Sequence, residues 1–218
     1  MNFDEVRKNS AINTYIQEAD KSLYELGYTE HSFAHIGVVV NRTEYILKCL
    51  NYDEHLIDNA KIAAYMHDIG NVVYRENHSQ SGALMAFRIL DKLGFEAKDI
   101  SEIISAIGNH DEGNGLPVSP LAAALILADK SDVRRSRVRN NDVSTFDIHD
   151  RVNYSVSESK LIVDSTNKEV ELILQIDQHY SSVMEYFSIF MQRMLLCQKA
   201  ALALDLRFKL FINNQQLV

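Results

Sequence analysis

Histidine and aspartate sit repeatedly at the ends of otherwise apolar helical stripes in this chain of 218 residues. In "AKIAAYMHDIGN", Ala60, Ala63, Ala64 and His67 share a face at helical spacing, with Asp68 directly after. His35 lies on the face of Val38, Val39 and Ile46, and His110 follows Ile103 and Ile107. Asp129 follows Ala122 and Leu125, while His78 opens a helical stretch one turn before Gly82. A buried imidazole or carboxylate without a partner costs several kcal/mol (roughly 2–7). A single such histidine is ordinarily a core residue bonded to a backbone carbonyl, and Asp129 alone reads equally as a buried cap or ion-pair partner. Their joint occurrence on separate helices points to a common interior holding a divalent transition metal, whose binding offsets the burial cost.

A second group is cationic. "KSDVRRSRVR" follows Asp129 and concentrates Lys130, Arg134, Arg135, Arg137 and Arg139 in an acidic chain. Cations near a metal would hold a phosphate, and arginine offers paired donors; a solvated helix end is the plainer alternative. Lys130 and Arg137 are the substrate-binding candidates, together with His31, one turn before His35. His55, His149 and His179 read as surface or loop positions.

The elements that must position these groups divide the chain in two. Residues 1–140 read as helices with short breaks: "HSFAHIGVVVNRTEYILKCL", "DEHLIDNAKIAAYMHD", "SQSGALMAFRILDKLG", "DISEIISAIGNH" and "LAAALILADKSD". The fourth is expected to open with a capping box, Asp99 before Glu102. Beyond the polar stretch "RNNDVS", residues 145–218 read as a small ββαβ unit. "KLIVD" and "EVELILQID" have strand character, with Val170, Leu172, Leu174 and Ile176 alternating against polar neighbours. A helix over about 179–204 follows, with Val183, Phe187, Met191 and Met194 among its apolar positions, and "RFKLFIN" closes as a strand. The expected fold is mainly α, an all-helical domain followed by a small α+β domain. A mixed sheet with an uncovered edge suits self-association, so a homodimer through the tail is the expectation.

Composition narrows the classes. Hydrophobic residues make up 46%, enough for a sizeable core, and a net charge of −8 argues against binding a nucleic-acid polymer. Cys49 and Cys197 fit no zinc pattern and read as reduced thiols. The polar N-terminus is unlike a signal peptide, and no apolar run approaches the ~20 residues of a membrane span. A soluble cytoplasmic protein is expected.

The order His35, His67–Asp68, Asp129, with the phrases "HDIGN" and "ILADKSD", resembles the HD-domain superfamily of metal-dependent phosphohydrolases over roughly residues 20–140. The resemblance implies that His35, His67, Asp68 and Asp129 hold one metal. It implies that His78 and His110 add a second, with Asp68 bridging; the ions are one or two of Fe, Mn, Zn, Co or Ni. It departs from the cyclic-dinucleotide branch, where a second histidine usually stands at the place of Asp111 and "GNGLP" would carry a tyrosine. The implied activity is hydrolysis of a nucleotide or other small phosphate ester by a metal-activated hydroxide. Asp68 would be catalytic as bridging ligand, and Asp111 as general acid or water-positioning group. HD-fold di-iron oxygenases share the same ligand order, and a metal-stabilised signalling module without turnover is a third alternative.

Overall fold

The computed structural model describes residues 2–218. The helical part contains α1 (Phe3–Arg7), α2 (Ser10–Glu25), α3 (Phe33–Cys49), α4 (Glu54–Met66), α5 (His78–Lys92), α6 (Ala97–Gly108) and α7 (Pro120–Lys130). The starts are set by side chains that accept orphan backbone N–H groups. Asn9 caps α2, Ser32 caps α3, Asp53 caps α4, and Ser119 caps α7 with Pro120 in the first turn. The capping box expected at Asp99 does not form. α6 starts earlier, after Glu96, and Asp99 instead accepts from Asn59 Nδ2 at 3.1 Å, beside His55.

α7 is the central helix. Every residue from Leu121 to Lys130 is buried, and α3, α4, α6 and α9 (Val183–Ala203) pack against it. Ala122, Ala123, Ala124 and Ala128 leave room for this close approach from several sides. Because α7 ends inside the core, the residues at its C-terminus, Asp129 and Lys130, are buried too.

After α8 (Ile148–Ser155) come β1 (Val156–Asp164), β2 (Glu169–Ile176), α9, β3 (Arg207–Ile212) and β4 (Gln215–Gln216). The sheet order is β1-β2-β3-β4, with β2 and β3 parallel and the flanking pairs antiparallel. The parallel pair requires a crossover, and α9 provides it. Val170, Leu172, Leu174 and Ile176 of β2 face inward beside Phe208, Leu210 and Ile212 of β3, as the alternation implies. On α9 the buried face runs through Tyr186, Phe190, Met194 and Cys197, whereas Met191 is exposed. One edge of the sheet, β1, is met by α3: Arg42 Nη2 donates to Ser159 O at 2.7 Å, and Val163 N donates to the Tyr45 hydroxyl at 3.2 Å. One buried apolar cluster runs through both the helices and the sheet. No helix among the described residues is long and apolar enough to cross a membrane.

Candidate metal centre

The six residues His35, His67, Asp68, His78, His110 and Asp129 come from different elements and are all buried. Each histidine is anchored through Nδ1. His67 bonds Ala64 O at 2.8 Å, His78 bonds Arg75 O at 3.1 Å, and His110 bonds Ile107 O at 2.6 Å. These carbonyls lie three residues back: His67 and His110 are oriented by the last turn of the helix they follow, and His78 by the turn that precedes α5. His35 Nδ1 instead meets Asp132 Oδ2 at 2.8 Å. A carbonyl or carboxylate at Nδ1 fixes the proton there and leaves Nε2 with a free lone pair.

Those Nε2 atoms converge on two carboxylates. Asp129 Oδ1 lies 3.3 Å from His35 Nε2 and 3.8 Å from His67 Nε2. Asp68 Oδ2 lies 3.2 Å from His67 Nε2, while its Oδ1 lies 3.3 Å from His78 Nε2 and 3.9 Å from His110 Nε2. Two groups, His35–His67–Asp129 and His67–Asp68–His110, each offer ligand atoms within 4.8 Å of one another. Ligands at about 2.0–2.2 Å from one ion sit roughly 3–3.5 Å apart, so these separations fit metal coordination after small adjustments. The Nε2 atoms of His35 and His67 are buried and have no hydrogen-bond partner among the described residues. An apolar core would not tolerate that, whereas a divalent ion would use both lone pairs. The donor set therefore fits a metal.

The electrostatics keep the carboxylates charged. Burial pushes Asp68 up, but His67 and His78 outweigh it and hold the carboxyl well below its ordinary value. Asp129 is likewise held well below by Lys130 and the facing His35 and His67, against the cost of burial. Burial drives His110 well below the ordinary imidazole value, so it stays neutral, the form a metal requires.

The cationic and acidic candidates are placed less uniformly. His31 packs edge-on to His35, with ring centroids 5.5 Å apart, and its Nδ1 meets Thr29 O. Arg137 is buried, donating Nε to Glu30 O at 2.9 Å and Nη1 to Asp132 O at 2.8 Å. Lys130 is turned inward: its Nζ lies 2.8 Å from Asp129 Oδ2 and 2.5 Å from Glu112 Oε2. Asp111 is half-buried, with Oδ1 3.8 Å from the same Nζ.

A cleft of about 400 Å³ opens beside this cluster, with His31, Arg75, Glu112, Arg137, Asp150 and Arg193 among its walls. Several participants escape the sequence reading. Asp132 stands one turn beyond Asp129 in "ADKSD", a spacing that could have flagged it. Asn71 belongs to "HDIGN" and donates Nδ2 to Asp68 Oδ1 at 3.0 Å. Glu112, Arg75 and Arg193 carry no local signal. His149, given no role from sequence, lines the cleft.

Residues 32–134 match the HD domain family. Over that stretch the chain is similar to HD domains. HD domains bind divalent metals, in agreement with the His/Asp groups described above. The chain is also 30% identical over 163 residues to an uncharacterized protein of Methanocaldococcus jannaschii, spanning 64% of this chain and 62% of that protein's length. A solved structure, a predicted HD superfamily hydrolase from an uncultured Thermotogales bacterium, is 25% identical, with a TM-score of 0.47 over 62% of this chain and 75% of its own. The matched stretch covers α3 to α7, and hence every histidine and aspartate of the cluster.

Proposed function

We propose that this protein is a metal-dependent phosphohydrolase acting on a small phosphate ester, with His35, His67, Asp68 and Asp129 holding one ion and His78 and His110 completing a second site. The observation that carries this is the divided carboxylate of Asp68, one oxygen toward His67 and the other toward His78. Bound divalent ions would supply Lewis acidity toward water and a phosphoryl oxygen.

The chain's own residues do the remainder. Arg137, fixed through two of its nitrogens by backbone carbonyls, has its remaining amino group for a phosphate oxygen. His31 is held well below the ordinary imidazole value, first by burial and then by Arg137. With its Nδ1 proton directed at Thr29 O, its Nε2 can accept a hydrogen bond from water or substrate. Hydrolysis adds water to phosphorus, breaks the P–O ester bond, and requires a proton for the departing alcohol. Asp111, beside the catalytic cluster and partly open to solvent, is assigned to that proton. Lys130 acts through Asp129 rather than on substrate directly, because its ammonium is enclosed by Asp129 and Glu112. Residues 1–140 form the metal-holding domain in this assignment, and residues 145–218 supply the opposite wall of the cleft.

The test is inorganic phosphate release from a panel of phosphomonoesters by manganese-loaded protein under argon. Release that disappears in Asp129→Ala is the expected result. Silence across the panel, combined with substrate-dependent oxygen uptake by iron-loaded protein, would replace the hydrolase by an oxygenase.

A further inference from the structure

Three guanidiniums from distant parts of the chain line the cleft: Arg75 after the HD pair, Arg137 after α7, and Arg193 on α9. Their protein partners leave part of each one unused. Arg75 donates Nη1 to Asn71 Oδ1 at 3.2 Å, the same Asn71 that holds Asp68. Arg193 reaches Glu112 Oε1 through Nε and Nη2 at 3.4 and 3.3 Å. Glu112 is shared with Lys130, and against burial Glu112 and Asp129 together hold the Arg193 guanidinium above its ordinary value. Burial pushes the Arg137 guanidinium below its ordinary value, with Asp132 opposing and the charge of Arg193 adding to the shift. Like charges gathered in a buried cleft are relieved when an anion enters.

The remainder of the cleft has a different character. Asp150 and Asn153 face it from α8, and among the described residues the Asp150 carboxylate meets only Asn140 Nδ2, at a marginal 3.4 Å. Two aromatic rings there carry a guanidinium on one face: that of Arg75 stands 5.5 Å over Tyr28, which stays partly exposed, and that of Arg193 stands 4.1 Å over Phe190. Phe190 is otherwise buried. A nucleobase stacking on Tyr28 or Phe190 competes with a guanidinium for one face of each ring. A carboxylate and an amide instead suit a group that donates hydrogen bonds.

We propose that the cleft selects a phosphomonoester with a short aliphatic remainder bearing hydroxyl or amino donors. In this assignment Arg75, Arg137 and Arg193 take the dianion and Asp150 takes the donor end. The ligand class rests on the phosphohydrolase assignment above and narrows it. It also makes α9, outside the matched stretch, part of the substrate site.

Calorimetry on the full-length, manganese-loaded protein tests this with inorganic phosphate, glycerol phosphate, phosphoethanolamine and adenosine monophosphate. One of the two aliphatic esters is expected to bind at least about tenfold more tightly than the nucleotide, about the value of one good hydrogen bond to a charged group. Asp150→Asn should weaken that ester and leave inorganic phosphate unchanged; a selective loss of phosphoethanolamine assigns an ammonium, and of glycerol phosphate a hydroxyl. Arg193→Gln should weaken every ligand about tenfold, and Arg193→Lys, which keeps the charge that Glu112 needs, should recover part of it. Far-ultraviolet circular dichroism checks that each variant is folded. Tightest binding by the nucleotide, equal loss of inorganic phosphate in Asp150→Asn, unchanged phosphate binding in Arg193→Gln, or no binding of any ligand would overturn the proposal. Selective binding without phosphate release would remove the hydrolase while leaving the ligand class. Phosphate release with a nucleotide preference would do the reverse.

Discussion

Asp68 faces two histidines with different oxygens: Oδ2 lies 3.2 Å from His67 Nε2 and Oδ1 lies 3.3 Å from His78 Nε2. One carboxylate therefore belongs to both halves of the cluster. Asp68→Ala is expected to reduce bound metal to background and to abolish turnover. His78→Ala should lose only the metal of its own half. Elemental analysis after reconstitution distinguishes the two outcomes, and equal metal loss in both variants would argue for a single site.

Asp132 touches no proposed metal directly but fixes His35 through Nδ1. Its carboxyl is held far below its ordinary value: burial raises it, and the His35 bond and Arg137 outweigh burial. Removing such an orienting partner typically costs about 10–100-fold in metal affinity. Asp132→Asn should fall in that range when measured by chelator competition, with the helical content of the protein retained. An unchanged affinity would show that Ala34 to Ile36 position His35 without help.

Gly70, in the turn after the HD pair, lies against the start of α5. A Cβ there would stand 2.0 Å from His78 O and 2.5 Å from Gly82 N. Both are backbone atoms and cannot swing aside. Gly70→Ala should destabilise the fold by about 3 kcal/mol or more, at the upper end of overpacking costs. It should also displace His78. Urea denaturation together with metal content measures both effects.

Burial pushes the Cys197 thiol up to about 12 from an ordinary value of 9.0. Native protein should therefore resist thiol reagents at Cys197 while half-buried Cys49 reacts. The linked pH effect has a definite sign. The unfolded chain loses the proton near pH 9 and the folded chain only near pH 12, so this group's contribution to stability is complete below pH 9. It declines as pH rises toward 12, at up to about 1.4 kcal/mol per pH unit. Urea midpoints of wild type and Cys197→Ser across that interval report it.

The sequence by itself determined the run of helices, the six converging histidines and aspartates, and the alternation that builds β2 and β3. These follow from local periodicity. An apolar stripe at helical spacing must face the core, and a polar group ending that stripe goes inward with it. Tertiary structure alone decided what the cations do. Lys130 and Arg137 belong to one basic run, yet Lys130 is enclosed by two carboxylates and Arg137 lines the cleft. Glu112 and Arg193 are 81 residues apart and meet only because α9 packs on α7. Asp132 becomes the partner of His35 across 97 residues for the same kind of reason. Spacing along a helix is written in neighbouring residues, whereas the pairing of charges across a core depends on which helix ends the packing brings together.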